Sequence, residues 1–205
     1  MLDAQGLTCT RGERTLFDGL DLSLAPGELV QVEGANGSGK TSLLRALCGL
    51  VPLDAGRVLW NGVDMDEARI DFLAALTYLG HAPAVKQDLT ARENLRVAGA
   101  LSDIPAAMRV EQALERLALS DLADAQLRTL SAGQRRRVGL ARLLLHPTPL
   151  WILDEPFTAL DVTGKRILEG LVGDHCRASG MALVTTHQPA DFGDLPVRTL
   201  HLRQA

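Results

Sequence analysis

Glycines at positions 34, 37 and 39 lead directly into a lysine and a threonine, in the run Gly34-Ala35-Asn36-Gly37-Ser38-Gly39-Lys40-Thr41. The run Leu29 to Glu33 before it reads as a strand. Thr41 to Leu50 after it carries Leu43, Leu44 and Leu47 at helical spacing and reads as a helix ending near Gly49. Glycines let consecutive backbone N–H groups turn to one side, and the start of a helix adds positive partial charge. Strand, tight loop and helix in that order form a cradle for phosphate. Lys40 is placed to reach terminal phosphates, and the Thr41 hydroxyl to hold Mg²⁺.

The rest of the chain supplies a sheet for this loop to stand on. Leu7 to Cys9 and Leu20 to Leu24 read as short strands, Pro26-Gly27 as a turn, and Val58 to Trp60 as a strand closing on the hairpin signal Asn61-Gly62. Leu150 to Leu153 and Met181 to Val184 are continuous apolar runs of the kind buried on both faces of a parallel sheet. The middle is helical. Thr90-Ala91-Arg92-Glu93 is a capping box, and Ile104 to Leu119 is rich in Ala, Leu, Glu and Arg. A helical insertion is expected at about residues 85–128. A second capping box, Ser131-Ala132-Gly133-Gln134, opens a helix with Val138, Ala141, Leu144 and Leu145 on its inner face, expected to run until Pro147 stops it.

Composition excludes several classes. The net charge of −4 over 205 residues gives no footprint for nucleic acid. No apolar run is long enough to cross a bilayer, and Met1-Leu2-Asp3-Ala4-Gln5 does not start like a signal peptide. Cys9, Cys48 and Cys176 are too scattered for a zinc site and read as small buried residues in a reducing compartment. Aromatics make up 3% of the chain, so Leu, Val, Ile and Ala must build the core.

Four further motifs join the phosphate loop. Leu150-Trp151-Ile152-Leu153-Asp154-Glu155 fits a Walker B strand, which delivers two carboxylates to the edge where open α/β sheets bind ligands. Asp154 is placed to hold Mg²⁺, and Glu155 to polarise the attacking water as general base. Leu130-Ser131-Ala132-Gly133-Gln134 resembles the signature motif of ABC proteins, with Ala132 where glycine is usual. Ala159-Leu160-Asp161 resembles their D-loop, and His187, after Thr185-Thr186, their switch histidine. With the Walker A match at residues 34–41, the order and spacing resemble the ABC ATP-binding family over nearly the whole chain.

This resemblance implies a single α/β ATP-binding domain over residues 1–205. It has a P-loop core with a parallel sheet, an N-terminal antiparallel β subdomain and the inserted helices. It implies Lys40, Glu155 and His187 as catalytic residues, and Gly34, Ala35, Asn36, Gly37, Ser38, Gly39, Lys40, Thr41 and the adjoining Ser42 as nucleotide-binding residues, with ATP and Mg²⁺ as cofactors. In the family, the signature motif of one subunit completes the ATP site of another. A second copy in a head-to-tail homodimer is therefore implied, together with integral membrane subunits. Taken alone, Ser131 could be only a helix cap, and Arg135-Arg136-Arg137 reads as a solvated helix face.

The sequence departs from the family in two places. The position of the aromatic residue that stacks on the base falls at Arg11, whose guanidinium can also stack. The Q-loop glutamine aligns with His81 in Leu79-Gly80-His81-Ala82-Pro83. With the signature and Walker B segments, and a chain that ends soon after His187 without a regulatory domain, these features resemble the family's cytochrome c maturation (heme exporter) group. That resemblance implies ATP hydrolysis at the cytoplasmic face of the bacterial inner membrane, in the service of heme delivery. There is no Cys-x-x-Cys-His, so heme is not expected to bind this chain directly, and His146, His175 and His201 read as surface residues. Another small-molecule or lipid exporter, or a soluble ABC ATPase, would share the catalytic motifs.

Overall fold

In chain order the strands are β1 (Leu2–Arg11), β2 (Arg14–Leu24), β3 (Leu29–Glu33), β4 (Ala55–Trp60), β5 (Val63–Asp64), β6 (Leu76–Leu79), β7 (Leu150–Asp154), β8 (Met181–Thr185) and β9 (Val197–His201). The helices are α1 (Lys40–Leu47), α2 (Arg69–Ala75), α3 (Ala91–Gly99), α4 (Ala106–Arg116), α5 (Ala132–Ala141) and α6 (Val162–Arg177). This computed structural model describes residues 1–100 and 106–202. It divides into two compact units, one of Met1–Tyr78, Thr148–Glu155 and Val172–Ala205, the other of Leu79–Pro147 and Pro156–Leu171.

The first unit holds two sheets. One is antiparallel, in the order β2-β1-β4-β5. β1 is longer than the three residues expected from its pattern. Leu2, Ala4, Leu7 and Cys9 are all buried, but the register slips between Ala4 and Leu7, so the period-two alternation is broken midway. Asn61 and Gly62 form the expected tight turn, with φ of 51° and 83° and Trp60 paired to Val63.

The other sheet has the order β6-β7-β8-β3-β9, and its β7–β8, β8–β3 and β3–β9 pairings are parallel. Every residue of β7 and β8 is buried, which explains their unbroken apolar runs. One apolar cluster joins Leu2, Leu24, Val30, Leu43, Leu47, Ile152 and Leu183, binding both sheets and α1 together. With β3 and β7 both flanking β8, the loops leaving their C-terminal ends converge, the usual ligand edge of an open parallel sheet. All three cysteines are free and buried.

His175 is not the surface residue the sequence suggests. In the last turn of α6 it is partly buried and stacks on Trp151 of β7, with ring centroids 3.8 Å apart and planes within 3°. Burial pushes its pKa down, outweighing hydrogen bonds to the Met181 and Pro149 carbonyls that pull the other way. A histidine depressed in the fold favours the folded state above its unfolded value of about 6.5, and that contribution is lost as pH falls below it. The melting temperature should drop between pH 7.5 and 5.5, with a shallower slope for His175→Gln. Equal slopes would remove this histidine from the acid sensitivity. His146 is also partly buried, with Nε2 3.1 Å from the Ala98 carbonyl, whereas His201 is exposed near Glu33.

The second unit is built on helices. The capping box at Thr90 is formed: its hydroxyl accepts from the Glu93 N–H and the Glu93 carboxylate accepts from the Thr90 N–H. Arg92 of α3 pairs with Asp124 at 2.9 Å and also with Glu111 of α4. Ile104 and Pro105, where a helix was expected to begin, lie outside the described residues, and α4 ends at Arg116. α5 ends before Pro147, at Ala141, and tightens into a 3₁₀ turn over Arg142–Leu144. Three residues per turn in place of 3.6 rotate the last side chains, so Leu143 and Leu145 are buried while Leu144 is only partly so.

Candidate functional site

The loop from β3 into α1 is shaped by its own contacts. Gly39 sits at the helix N-cap with φ of 97°, a left-handed conformation that side chains resist, and a Cβ there would come within 3.0 Å of Leu16 Cβ. Lys40 is buried, and its Nζ donates to the Gly34 carbonyl at 2.8 Å and the Ala35 carbonyl at 3.1 Å. The ammonium is thereby held across the loop. Ser38 Oγ is buried with no hydrogen-bond partner among the described residues. Such an orphaned hydroxyl beside a helix N-terminus suits a phosphate oxygen.

β7 and β8 deliver the acidic side. Asp154 is almost fully buried, and its Oδ1 accepts a hydrogen bond from Thr185 Oγ1 at 3.0 Å. Glu155 follows with φ of 47°, unusual for a side chain this large, and its N–H donates to the same Thr185 Oγ1 at 2.8 Å. Glu155 Oε1 lies 3.1 Å from His187 Nε2. His187 itself is exposed, at the centre of an ST turn in which Thr186 Oγ1 accepts from the Gln188 N–H.

These groups line one cavity of about 410 Å³. Asn36, Gly37, Gly39, Lys40, Thr41 and Ser42 line it together with Asp154, Glu155 and His187. Of the remaining expected residues, Gly34 and Ala35 contribute the carbonyls that hold Lys40, and Ser38 lies buried within the loop. The Thr41 and Ser42 hydroxyls and the Asp154 carboxylate are hard oxygen donors of the sort Mg²⁺ takes.

Arg11 lines the cavity as the sequence suggests, but Arg14 and Leu16 line it as well. Both arginines close the β1–β2 hairpin as a cross-strand pair, a signal that strand pairing alone reveals. Among the described residues, no Phe, Tyr or Trp side chain lines the cavity. Thr185 also belongs to the site's surroundings, bound to Asp154 and Glu155, although in the sequence its hydroxyl is mere flank to His187.

In the second unit Ser131 caps α5 in a complete capping box. Gly133 admits no side chain, because a Cβ would come within 2.7 Å of the Ala159 carbonyl. Asp161 accepts from the Gly164 N–H at 2.8 Å and so caps α6. The arginine run is not a solvated face. Arg136 is buried, and its guanidinium donates to the carbonyls of Gly80, His81 and Pro156. Arg135 donates to the Leu130 carbonyl, and Arg137 to those of Leu117 and Ala118. A guanidinium offers five donors in a rigid fork, enough to gather several chain segments at once. The imidazole of His81 is exposed while its carbonyl is held by Arg136.

Residues 17–158 match the family model described as ABC transporter. The cytochrome c biogenesis ATP-binding export protein CcmA of Methylococcus capsulatus is 51% identical over 203 residues, covering 98% of this chain and 97% of that protein. The protein of the same name from Escherichia coli K12 is 46% identical over 207 residues, covering 100% of this chain and 97% of its own. Among solved structures, an ATP-binding cassette in a dimeric, post-hydrolysis state bound to ADP and Pi superposes with a TM-score of 0.81 at 24% identity, over 99% of this chain and 94% of that one. An ATP-binding subunit of an ABC transporter gives 0.80 at 24% identity, over 91% and 79%. At that identity the likeness concerns the fold alone.

Proposed function

The chain belongs to the ABC transporter family, and from that premise we propose that it is the ATP-hydrolysing subunit of a membrane complex serving heme delivery for cytochrome c biogenesis. The hydrolytic part rests on the cavity in which Lys40 and Thr41 share walls with Asp154, Glu155 and His187. The heme part rests on 51% identity, along 98% of the chain, to a protein named for cytochrome c biogenesis.

In the mechanism, Lys40 Nζ leaves the loop carbonyls to support the β- and γ-phosphates, and the Ser38 hydroxyl and loop N–H groups hold the remaining oxygens. Thr41 and Asp154 would hold Mg²⁺, which when bound would supply positive charge to the phosphate oxygens. Glu155 orients a water and accepts its proton as the water oxygen bonds to the γ-phosphorus. The bond to the ADP oxygen breaks, leaving ADP and inorganic phosphate. His187, held beside Glu155, contacts the γ-phosphate. Arg11 and Arg14 offer guanidinium planes to the base.

The site is completed by a second copy, whose Ser131 and α5 N-terminus face the γ-phosphate, so that two ATPs lie in a head-to-tail homodimer. Among the described residues no helix is long and apolar enough to cross a membrane. In this reading integral membrane subunits carry the passage, with this chain peripheral to them at the cytoplasmic face of the inner membrane, a placement supported by the relatives named as ATP-binding export proteins. Heme is not bound directly, and nucleic acid is not a partner.

His81 takes the Q-loop role in this reading, its neutral imidazole serving as a hydrogen-bond acceptor. The test is ATPase rate and cytochrome c yield in the complex purified from detergent-solubilised membranes. Expected are co-purifying integral membrane subunits, near-normal values for His81→Gln, whose amide oxygen is a similar acceptor, and reduced or uncoupled turnover for His81→Ala. Full rate and full yield for the alanine variant would return His81 to a strand-end residue. Absence of any membrane partner would overturn the transport reading.

A further inference from the structure

We propose that Thr185 is a positioning residue for hydrolysis, its one hydroxyl fixing the Asp154 carboxylate and the Glu155 backbone relative to each other. The inference rests on the reading of Asp154 and Glu155 as the acidic side of the ATP site. It adds a residue to which no motif assigns a role.

The geometry is specific. β7 and β8 run parallel with Asp154 opposite Thr185, so the last residue of each strand meets the other at the sheet's C-terminal edge. A hydroxyl has one proton to give and lone pairs to receive. Thr185 gives its proton to Asp154 Oδ1 at 3.0 Å and receives the Glu155 N–H at 2.8 Å. The residue is fully buried, and a branched Cβ in a strand leaves little rotamer freedom. The bridge therefore has one arrangement. Glu155 needs such a bridge because its φ of 47° lies where a non-glycine residue is strained, and strained backbone persists only where its surroundings over-determine it. That turn of the chain sets the carboxylate 3.1 Å from His187.

Valine at 185 would keep the shape and the strand preference of threonine but supply neither half of the bridge. The partly buried Glu155 N–H would lose this acceptor and Asp154 a donor, and the chain at 155 could relax. A catalytic carboxylate displaced by about 1 Å can cost on the order of a hundredfold in rate. The phosphate loop leaves β3, which pairs with β8 through backbone hydrogen bonds that the substitution keeps. The predicted signature is a fall in kcat with ATP affinity retained.

Two substitutions trade opposite properties. Thr185→Ser keeps the hydroxyl and loses a methyl group, whereas Thr185→Val keeps the volume and loses the hydroxyl. In the full-length chain we expect kcat of the serine variant within about threefold of wild type. The valine variant should fall about ten- to a hundredfold, with its ATP dissociation constant changed by less than about threefold. Thr185→Cys, with a weak donor and acceptor, should fall between them, and it carries the comparison if the valine protein does not fold. Full turnover in the valine or cysteine variant, or a serine variant as slow as either, would overturn the proposal and leave Thr185 as a packing residue. Glu155→Gln is measured alongside: if it turns over normally, the reading of the acid pair fails. If it is inactive while Thr185→Val is active, only the role of Thr185 fails.

Discussion

Lys40→Ala should lower ATP turnover by about a hundred- to a thousandfold, the range seen when one preorganised donor to developing charge is removed. The lysine is buried in the loop, and its ammonium is held by two carbonyls only five and six residues earlier in the chain. Its charge is therefore fixed within reach of any phosphate the loop admits, and alanine removes that charge without intruding on the loop. Binding should weaken as well, because ground state and transition state both carry charge on the terminal phosphates. The fold should survive, since the apolar faces of α1, with Leu43, Leu44 and Leu47, remain in the core. The checks are steady-state ATPase, equilibrium ATP binding and a thermal melt on the same preparation. A folded variant with turnover near wild type would remove Lys40 from the site and, with it, the assignment of the loop.

How much of this could be read from sequence depended on whether the cause was local. The phosphate loop, the Asn61-Gly62 turn and the capping boxes at Thr90 and Ser131 are each specified by neighbouring residues, and each stands where the sequence places it. The buried strands β7 and β8 were legible for the same reason. What stayed hidden depends on residues far apart in the chain. Arg136 looked like part of an exposed basic face until the chain around Gly80, His81 and Pro156 folded against it. His175 is partly buried by a stack on Trp151 in another element, and Arg14 reaches the cavity only through the β1–β2 pairing. The Thr185 bridge exists only because β7 and β8 are parallel and in register at Asp154.

Glu155→Gln should separate binding from hydrolysis, and in doing so reveal the second copy. The amide keeps the size of the carboxylate and an oxygen facing His187 Nε2, which lies 3.1 Å from the present Oε1. It cannot take a proton from water, and loss of a general base costs roughly a hundred- to ten-thousandfold. ATP should then bind and persist. If the γ-phosphate is what joins the cavity of one chain to Ser131 of another, the uncleaved nucleotide should hold two chains together. Sedimentation is expected to show a dimer in ATP and a monomer without it. Ser131 also caps α5, so its replacement by alanine would confuse a weakened helix with a lost phosphate contact. Aspartate avoids this, because it is as good a cap as serine while setting a negative charge against the phosphate. The Glu155→Gln/Ser131→Asp protein should therefore remain folded, bind ATP in its own cavity, and sediment as a monomer. Should both proteins dimerise alike in ATP, the contact would not run through Ser131. Should Glu155→Gln stay monomeric under saturating ATP even with its membrane subunits present, the shared-site arrangement would be wrong.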